Sequence, residues 1–341
     1  MNIVVLLGGI STEREVSINS GEKVSKALKA NGHNVIPVDV FLGFPKKKSF
    51  DVECDIDAEI KRIREASDKV MKSAKTRPNF VGEHVFDICK KADIVFMALH
   101  GENGENGKLQ AYLDLEGVKY TGTGYSGSAV AMDKWLSKLL FISNKVNTAR
   151  GKVAFKDGRV QSLGEELEFP LVIKPCCGGS SVGVSIVKNK KEYKEALEMA
   201  FEYEDKVVIE EFIAGQEFTC AVLDGEALPV VEIIPKSGWY DYKNKYVAGA
   251  TKEVCPAEIP DYLTKKIQDA AVKVGVALGL DIYYRADFRV DDKGDVYCLE
   301  ANTLPGMTNT SLIPQEAAAV GIDYNSLCEK IIDISLKKYS K

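Results

Sequence analysis

The 341 residues are 45% hydrophobic and 28% charged with a formal net charge of -5, the composition of a soluble globular protein with core volume for two to three domains. That balance does not suggest a nucleic-acid surface, and no stretch approaches the roughly 20 apolar residues of a membrane span. The start, MNIVVLLGGIST, lacks a basic leader and breaks at Gly8-Gly9, so a first strand is expected, not a signal peptide. Eight cysteines (54, 89, 176, 177, 220, 255, 298, 328) contain no C-x-x-C and read as reduced thiols of a cytoplasmic protein. Zinc is not expected, because His33, His84 and His100 lack ligand spacing with any cysteine.

Asn2 to Leu7 reads as a buried parallel strand, Glu13 to Ala30 as a helix ended by Asn31-Gly32, and Asn34 to Val40 as the next strand, which together make a βαβ unit. The unit lacks G-x-G-x-x-G, so a dinucleotide fingerprint is not expected. Glu13, in the first helical turn, complements the helix dipole or faces a ligand. Residues 44 to 79 read as a loop and a solvated helix around Ile56 to Lys75, with no function assigned. Ala92 to Leu99 is a third strand that runs into His100-Gly101-Glu102-Asn103-Gly104-Glu105-Asn106-Gly107, either a plain turn or a ligand loop at the strand end where α/β proteins place ligands. A helix over Lys108 to Glu116, a short strand over Lys119 to Thr121 and a helical tract over Ser126 to Ile142, containing Met132-Asp133-Lys134, come next. A boundary is expected near Asn147 to Lys152.

Leu171 to Pro175 is a strand ending in Lys174-Pro175, and the glycine- and hydroxyl-rich Cys176 to Gly183 leads to a strand over Val184 to Val187. Such a loop is a plain hairpin turn or a flap whose amides cover phosphates, with the Lys174 ammonium as a natural partner. A helix over Lys191 to Glu202 precedes strands over Lys206 to Glu211, Glu217 to Leu223 and Ala227 to Ile234. Glu210, Glu211 and Glu217 sit at strand ends, as solvated edge charges or as ligands. Gly238 to Tyr246 is too polar and aromatic for a buried element and reads as a long functional loop. Pro260 to Leu278 is a helix, and Gly321 to Lys337 closes the chain with another.

Between those helices, Ile282, Tyr284, Ala286, Phe288 and Val290 alternate with Tyr283, Arg285, Asp287 and Arg289. A turn at Asp291 to Gly294 with an even loop puts Arg285 and Asp287 on one face with Cys298, Glu300 and Asn302, and Tyr297, Leu299 and Ala301 on the apolar face. Gathered hard oxygens suit Mg²⁺ or Mn²⁺ on a nucleotide's phosphates, although a solvated hairpin face has the same pattern. Pro305-Gly306-Met307 ends the strand, and Thr308 to Ser311 offers caps before Leu312, a helix start fit to hold an anion.

Nine stretches, LLGGISTEREVSINSG, HGENGENGKLQ, YTGTG, MDK, VIKPCCGGSSVGV, EEFIAGQEFT, WYDYKNKY, RADFRVD and LEANTLPGMTNTSLIP, follow one another in order and are spread over nearly the whole chain. In them the chain resembles the ATP-grasp superfamily and, within it, the D-alanine:D-alanine ligases. The resemblance implies an α/β and α+β ATP-grasp fold: an N-terminal parallel-sheet domain over 1–123, a central subdomain with the glycine loop over 124–215 and a C-terminal subdomain over 216–341, the latter two clamping ATP. It implies ATP-dependent joining of two D-alanines through an acyl phosphate, for peptidoglycan precursors, by a cytoplasmic homodimer. By resemblance, Asp287, Glu300 and Asn302 hold two Mg²⁺ (or Mn²⁺) ions. Lys134, Lys174, Ser181, Glu210, Glu211, Glu217 and Lys245 contact ATP. Glu13 holds the first D-alanine's ammonium, with His100 and Glu105 around it. Ser180, bonded to Tyr246 and Glu13, ties the two loops together, Arg285 and the Gly306 backbone stabilise the oxyanion, and Ser311 with the Leu312 amide holds the second carboxylate. The alternatives are D-serine or D-lactate as second substrate, disfavoured for D-lactate by Tyr246; a non-catalytic ATP-binding paralogue, disfavoured by the intact lysines and acids; or an ATP-grasp ligase for a different amino acid, disfavoured by Glu13 and the Tyr246 loop occurring together. Asn106 departs from the family's acid in the HG loop, Asn144 to Ala149 lacks its glycine-proline turn, and Cys176-Cys177 adds bulk with no assigned role.

Overall fold

A computed structural model describes residues 1–46, 49–162, 166–236 and 249–340. The chain begins with β1 (Asn2–Leu7), α1 (Arg14–Ala30), β2 (Asn34–Asp39), α2 (Ile56–Glu65), α3 (Ser67–Ser73), α4 (Val85–Cys89) and β3 (Ile94–Met97). The strands form a parallel sheet in the order β2-β1-β3. Ile3 to Leu7 are fully buried, as an uninterrupted apolar run requires when both faces of a parallel sheet are covered. The helix expected from Glu13 starts at Arg14, so Glu13 stands at the N-cap, where no side-chain cap bond holds it to the helix. The solvated helix expected over Ile56 to Lys75 is two helices broken at Ala66. Ile56, Ile60 and Ile63, spaced four and three apart, bury one face of α2 in the first core.

At the carboxyl end of β3 lie α5 (Glu102–Glu105) and α6 (Lys108–Leu115). The strand expected at Lys119 to Thr121 is a single parallel bridge from Val95 to Tyr120. The expected Ser126 to Ile142 tract is two helices, α7 (Tyr125–Met132) and α8 (Lys134–Ser143). Asp133 leaves helical geometry at ψ 99° and its side chain accepts from the Leu136 amide, so a new N-cap interrupts the apolar pattern.

Next come β4 (Gly151–Phe155), β5 (Val160–Ser162), β6 (Leu171–Pro175), β7 (Ser185–Val187), α9 (Lys190–Tyr203) and β8 (Lys206–Glu211), in an antiparallel sheet ordered β5-β4-β8-β6-β7. The last sheet holds β9 (Gln216–Leu223), β10 (Glu226–Ala227), β11 (Val231–Pro235), β12 (Thr251–Val254), β13 (Tyr283–Val290) and β14 (Val296–Asn302), in the order β12-β11-β9-β13-β14 with β10 beside β9. Its inner face packs on the Asp261–Leu278 helix through Phe218, Phe288, Ile267 and Val274. The Leu312–Ala319 and Tyr324–Lys338 helices return to the first sheet, where Ile313, Leu327 and Ile331 join the core of Ile3 to Leu7. The end of the chain thereby fixes β13 and β14 against the N-terminal sheet.

The β13–β14 register corrects one expectation. Arg285 pairs with Asn302 and Asp287 with Glu300, but Phe288 pairs with Cys298, so a bulge at Leu299 shifts the alternation. Cys298 therefore turns into the core beside Phe288, while Leu299 turns to the cleft. One inserted residue reverses every side chain beyond it. It also parts the three oxygen-bearing residues from the ordinary hairpin below them.

Candidate active site

The three sheets meet around a cleft of roughly 610 Å³ that continues into a smaller pocket of roughly 140 Å³. Lys134, Gly178, Gly179, Ser180 and Glu300 line both. The larger cleft collects Glu13, His100, Glu105, Arg285, Asn302, Gly306, Ser311 and Leu312. The smaller collects Lys174, Ser181, Glu210, Glu211, Glu217 and Asp287. Every candidate site residue within the described residues thus faces one continuous cavity; Lys245, Tyr246 and the rest of their aromatic loop fall outside them.

Ser180 Oγ donates to Glu13 Oε1 at 2.6 Å, which joins the glycine loop to the mouth of α1. Ser180 and Ser181 both have positive φ, 52° and 58°, a conformation that costs an L-residue about 1–2 kcal/mol each. The His100 ring is buried, with Nδ1 2.8 Å from the Leu304 carbonyl and Nε2 3.0 Å from Ser20 Oγ. A carbonyl only accepts, so Nδ1 carries the proton. Burial lowers the imidazole pKa against the opposing pull of Glu13, and the ring is neutral. Glu105 accepts from the Gly101 amide at 2.6 Å and the Leu304 amide at 3.3 Å. Burial first, and the Glu13 charge second, push its carboxyl up to about 8. Gly101 has φ +77°, and a Cβ there would lie 2.8 Å from that of Ser11, so only glycine makes this turn. Gly306 packs closely on the same helix start: a Cβ there would meet Ser311 Oγ at 2.7 Å and displace that hydroxyl. Ser311, at the N-cap of the Leu312–Ala319 helix, makes no side-chain cap bond; its Oγ accepts from the Thr308 amide at 2.9 Å.

In the smaller pocket Glu210 is clamped by Lys174 at 2.5 Å and Lys138 at 2.9 Å, all three nearly buried. Burial alone would raise this carboxyl, yet the two ammonium groups hold it at about 2. Lys138 was not singled out in the sequence, although it lies one helical turn after Lys134 and shares its face. Glu210→Gln is expected to leave two buried lysines without a counter-charge and to cost about 3–5 kcal/mol, read from urea denaturation midpoints near neutral pH. Glu211 binds Arg150 through its amide at 2.8 Å and Nε at 2.9 Å, and Glu217 meets Arg289 at 3.3 Å.

Between the two pockets, Arg285 Nε and Nη2 donate to the two Asp287 oxygens at 2.8 Å each, and Thr219 Oγ1 donates to Asp287 at 2.7 Å. Glu300 lies 3.2 Å from Lys134, whose Nζ also donates to the Gly178 carbonyl at 2.6 Å. Burial would lower the Lys134 pKa, but the Glu300 carboxylate outweighs it and holds it above the ordinary value. Asn302 Oδ1 accepts from the Leu304 amide at 3.1 Å.

Beneath this face lies a second carboxyl the sequence did not flag. Glu316 is fully buried, accepts from the Ala221 amide at 2.7 Å, and is pushed up to about 8 by burial. The folded protein keeps this proton up to about pH 8, whereas the unfolded chain loses it near 4.5. Its contribution to stability is therefore complete below pH 4.5 and is lost as pH rises through about 8. Glu316→Gln is expected to shrink the fall in urea midpoint between roughly pH 6 and pH 9. An unchanged fall would show that Glu316 does not carry it.

Comparison with known proteins gives the same frame. Residues 2–123 match the family model "D-ala D-ala ligase N-terminus" and residues 145–333 match "D-ala D-ala ligase C-terminus". The chain is 42% identical to the D-alanine--D-alanine ligase of Pediococcus pentosaceus, covering 100% of this chain and 99% of that one. It is 41% identical to that of Lacticaseibacillus casei, covering 100% and 97%. Among solved structures, the Bacillus anthracis D-alanine--D-alanine ligase complexed with ATP matches at TM-score 0.77 and 31% identity, over 99% of this chain and 98% of that one. VanG D-Ala:D-Ser ligase from Enterococcus faecalis matches at TM-score 0.77 and 29% identity, over 98% and 99%. With both family models matched across most of its length and full-length relatives at this identity, the chain belongs to the D-alanine–D-alanine ligase family and has its ATP-grasp fold.

Proposed function

We propose that the cleft joins two D-alanines at the expense of ATP, through an acyl phosphate, to supply a peptidoglycan precursor. The observation that carries this reading is the convergence of Glu13, Arg285, Glu300 and Asn302 on one cavity closed by the loop that supplies Ser180. In it Glu13 takes the ammonium of the first D-alanine, with Glu105 behind it. Lys174 and Lys134 face the phosphates, and the Gly178 to Ser181 amides cover them. Arg285 and the Gly306 backbone stabilise the charge that develops when the second amine attacks. Ser311 and the start of the helix at Leu312 hold the second carboxylate. Positioning and exclusion of water supply most of the rate, since the acyl phosphate is hydrolysed if water reaches it. The need for ATP supports a cytoplasmic setting.

The donor set fits Mg²⁺. Asp287 and Glu300 are register partners and Asn302 is two residues along the same strand, so three hard oxygen groups share a face beside the phosphate-binding loop. Arg285 and Thr219 leave part of the Asp287 lone-pair capacity free. Asp287, Glu300 and Asn302 would hold the ion, which when bound neutralises charge on the transferred phosphoryl group.

D-serine as second substrate is kept as the rival reading because a D-Ala:D-Ser ligase matches this chain at the same TM-score as the D-alanine enzyme. Backbone shape therefore does not separate them. Phosphate release with ATP and Mg²⁺ is expected to be fastest with D-alanine, slower with D-serine and lowest with D-lactate at neutral pH. A higher kcat/KM for D-serine as the second substrate would transfer the assignment, and ATP binding without amino-acid-dependent phosphate release would make the chain a nucleotide-binding paralogue.

A further inference from the structure

The paired cysteines at the root of the glycine loop are given no role by the proposed ligation chemistry, although Cys177 lines the larger cleft, and they sit in a built cluster. Cys176 Sγ, Cys177 Sγ and an Asp133 carboxylate oxygen all lie within 4.8 Å of one another, with Cys176 Sγ 3.0 Å from Asp133 Oδ1. Cys176 is buried and Cys177 half-buried. Glu204, at the end of α9, brings a second carboxylate alongside, accepting from the Cys177 amide at 2.6 Å. Ordinary Zn–S and Zn–O bond lengths put tetrahedral ligand atoms roughly 3.6–3.8 Å apart, so side-chain rotations of about an ångström would close the set. Two thiols make the site soft, unlike the oxygen face of Asp287, Glu300 and Asn302. Histidine spacing gave no hint of it, because the donors are sulfur and carboxylate, and Asp133 lies 43 residues before Cys176.

We propose that Asp133, Cys176 and Cys177 form a binding site for a soft divalent cation such as Zn²⁺ or Cd²⁺, and that loading it restrains the glycine loop. Binding exchanges two thiol protons for the metal, with Glu204 or water as fourth ligand. The Lys206 ammonium, 2.6 Å from Asp133 Oδ2, competes for that carboxylate and keeps the site from holding hard cations, which bind too weakly to displace it. The coupling to the loop is short. The Cys176 carbonyl accepts from the Lys134 amide at 3.0 Å, and the carbonyl of Gly178, next after Cys177, accepts from Lys134 Nζ at 2.6 Å. A metal joining Cys177 to Asp133 would pin the loop root to the start of α8 and slow closure.

The test uses the full chain, reduced and stripped with chelator, titrated with Cd²⁺ in the absence of ATP and Mg²⁺. Wild type is expected to bind one Cd²⁺ per chain with a thiolate-to-metal charge-transfer band. The Cys176→Ser/Cys177→Ser double variant is expected to lose the band. Asp133→Ser, which preserves a helix cap, is expected to weaken binding at least about tenfold. A band of full size in the double variant, or undiminished affinity in Asp133→Ser, would overturn the site. If the double variant misfolds by circular dichroism, Cys177→Ser alone, at the half-buried position, carries the same comparison. Zn²⁺ added to Mg²⁺-ATP turnover is expected to inhibit wild type more than Cys177→Ser; equal inhibition would remove the restraint of the loop while leaving the Cd²⁺ result to decide the site.

Discussion

Glu300→Gln is expected to lower D-alanine-dependent phosphate release by about 10²–10³-fold, the loss typical of removing one group aimed at transition-state charge. Three structural relations put the effect there. Glu300 lines both the large cleft and the smaller pocket, pairs in register with Asp287, and lies 3.2 Å from Lys134. The amide keeps the shape of the side chain but gives up the negative charge that a divalent ion and the Lys134 ammonium both need. Lys134 is nearly buried, so a stability cost of about 1–3 kcal/mol is expected as well. That cost leaves a folded protein within the usual stability margin. Steady-state kinetics over a Mg²⁺ titration, with circular dichroism as the control, decide the matter: kcat should fall and the Mg²⁺ requirement should rise. A folded variant with wild-type kcat would remove Glu300 from the proposed metal set.

What the sequence revealed and what it hid follow from the range of the signals. Alternation is local, so the polar face of Arg285, Asp287, Glu300 and Asn302 could be read before any coordinates. The bulge at Leu299 could not, because an inserted residue leaves no compositional trace and its effect on Cys298 shows only in the pairing. Tyr283 shares the alternation of Arg285, yet it is buried in the N-terminal core, since the returning C-terminal helices cover that end of the strand. The strands β4 and β5 went unread for another reason. GKVAF is short, and VQS is an exposed edge with no apolar alternation to mark it. The Lys138–Glu210 pair joins residues far apart in the chain, where periodicity is silent and only the meeting of α8 with β8 brings the charges together. Family resemblance supplied roles for residues whose neighbours it could not supply.

Arg285→Lys is expected to be almost as damaging, with kcat lower by about 10²-fold and the KM for ATP little changed. Charge is conserved in this change, so any loss measures geometry. The guanidinium is fixed by two parallel bonds to Asp287 at 2.8 Å each, and a lysine ammonium, a point charge on a flexible stem, cannot reproduce that fork. Asp287 is in turn held by Thr219, so the donors of Arg285 are aimed from a rigid strand into the cleft beside Gly306. If Arg285 stabilises charge on the attacked carbonyl, the penalty falls on the step after phosphorylation. Exchange between ATP and ADP supported by the first D-alanine should then persist while dipeptide formation drops. A variant that loses both partial reactions equally would instead assign Arg285 to the phosphoryl-transfer step, through its grip on Asp287. A variant that loses neither would leave the ion pair with a structural duty alone, read as a lower urea midpoint at unchanged rate.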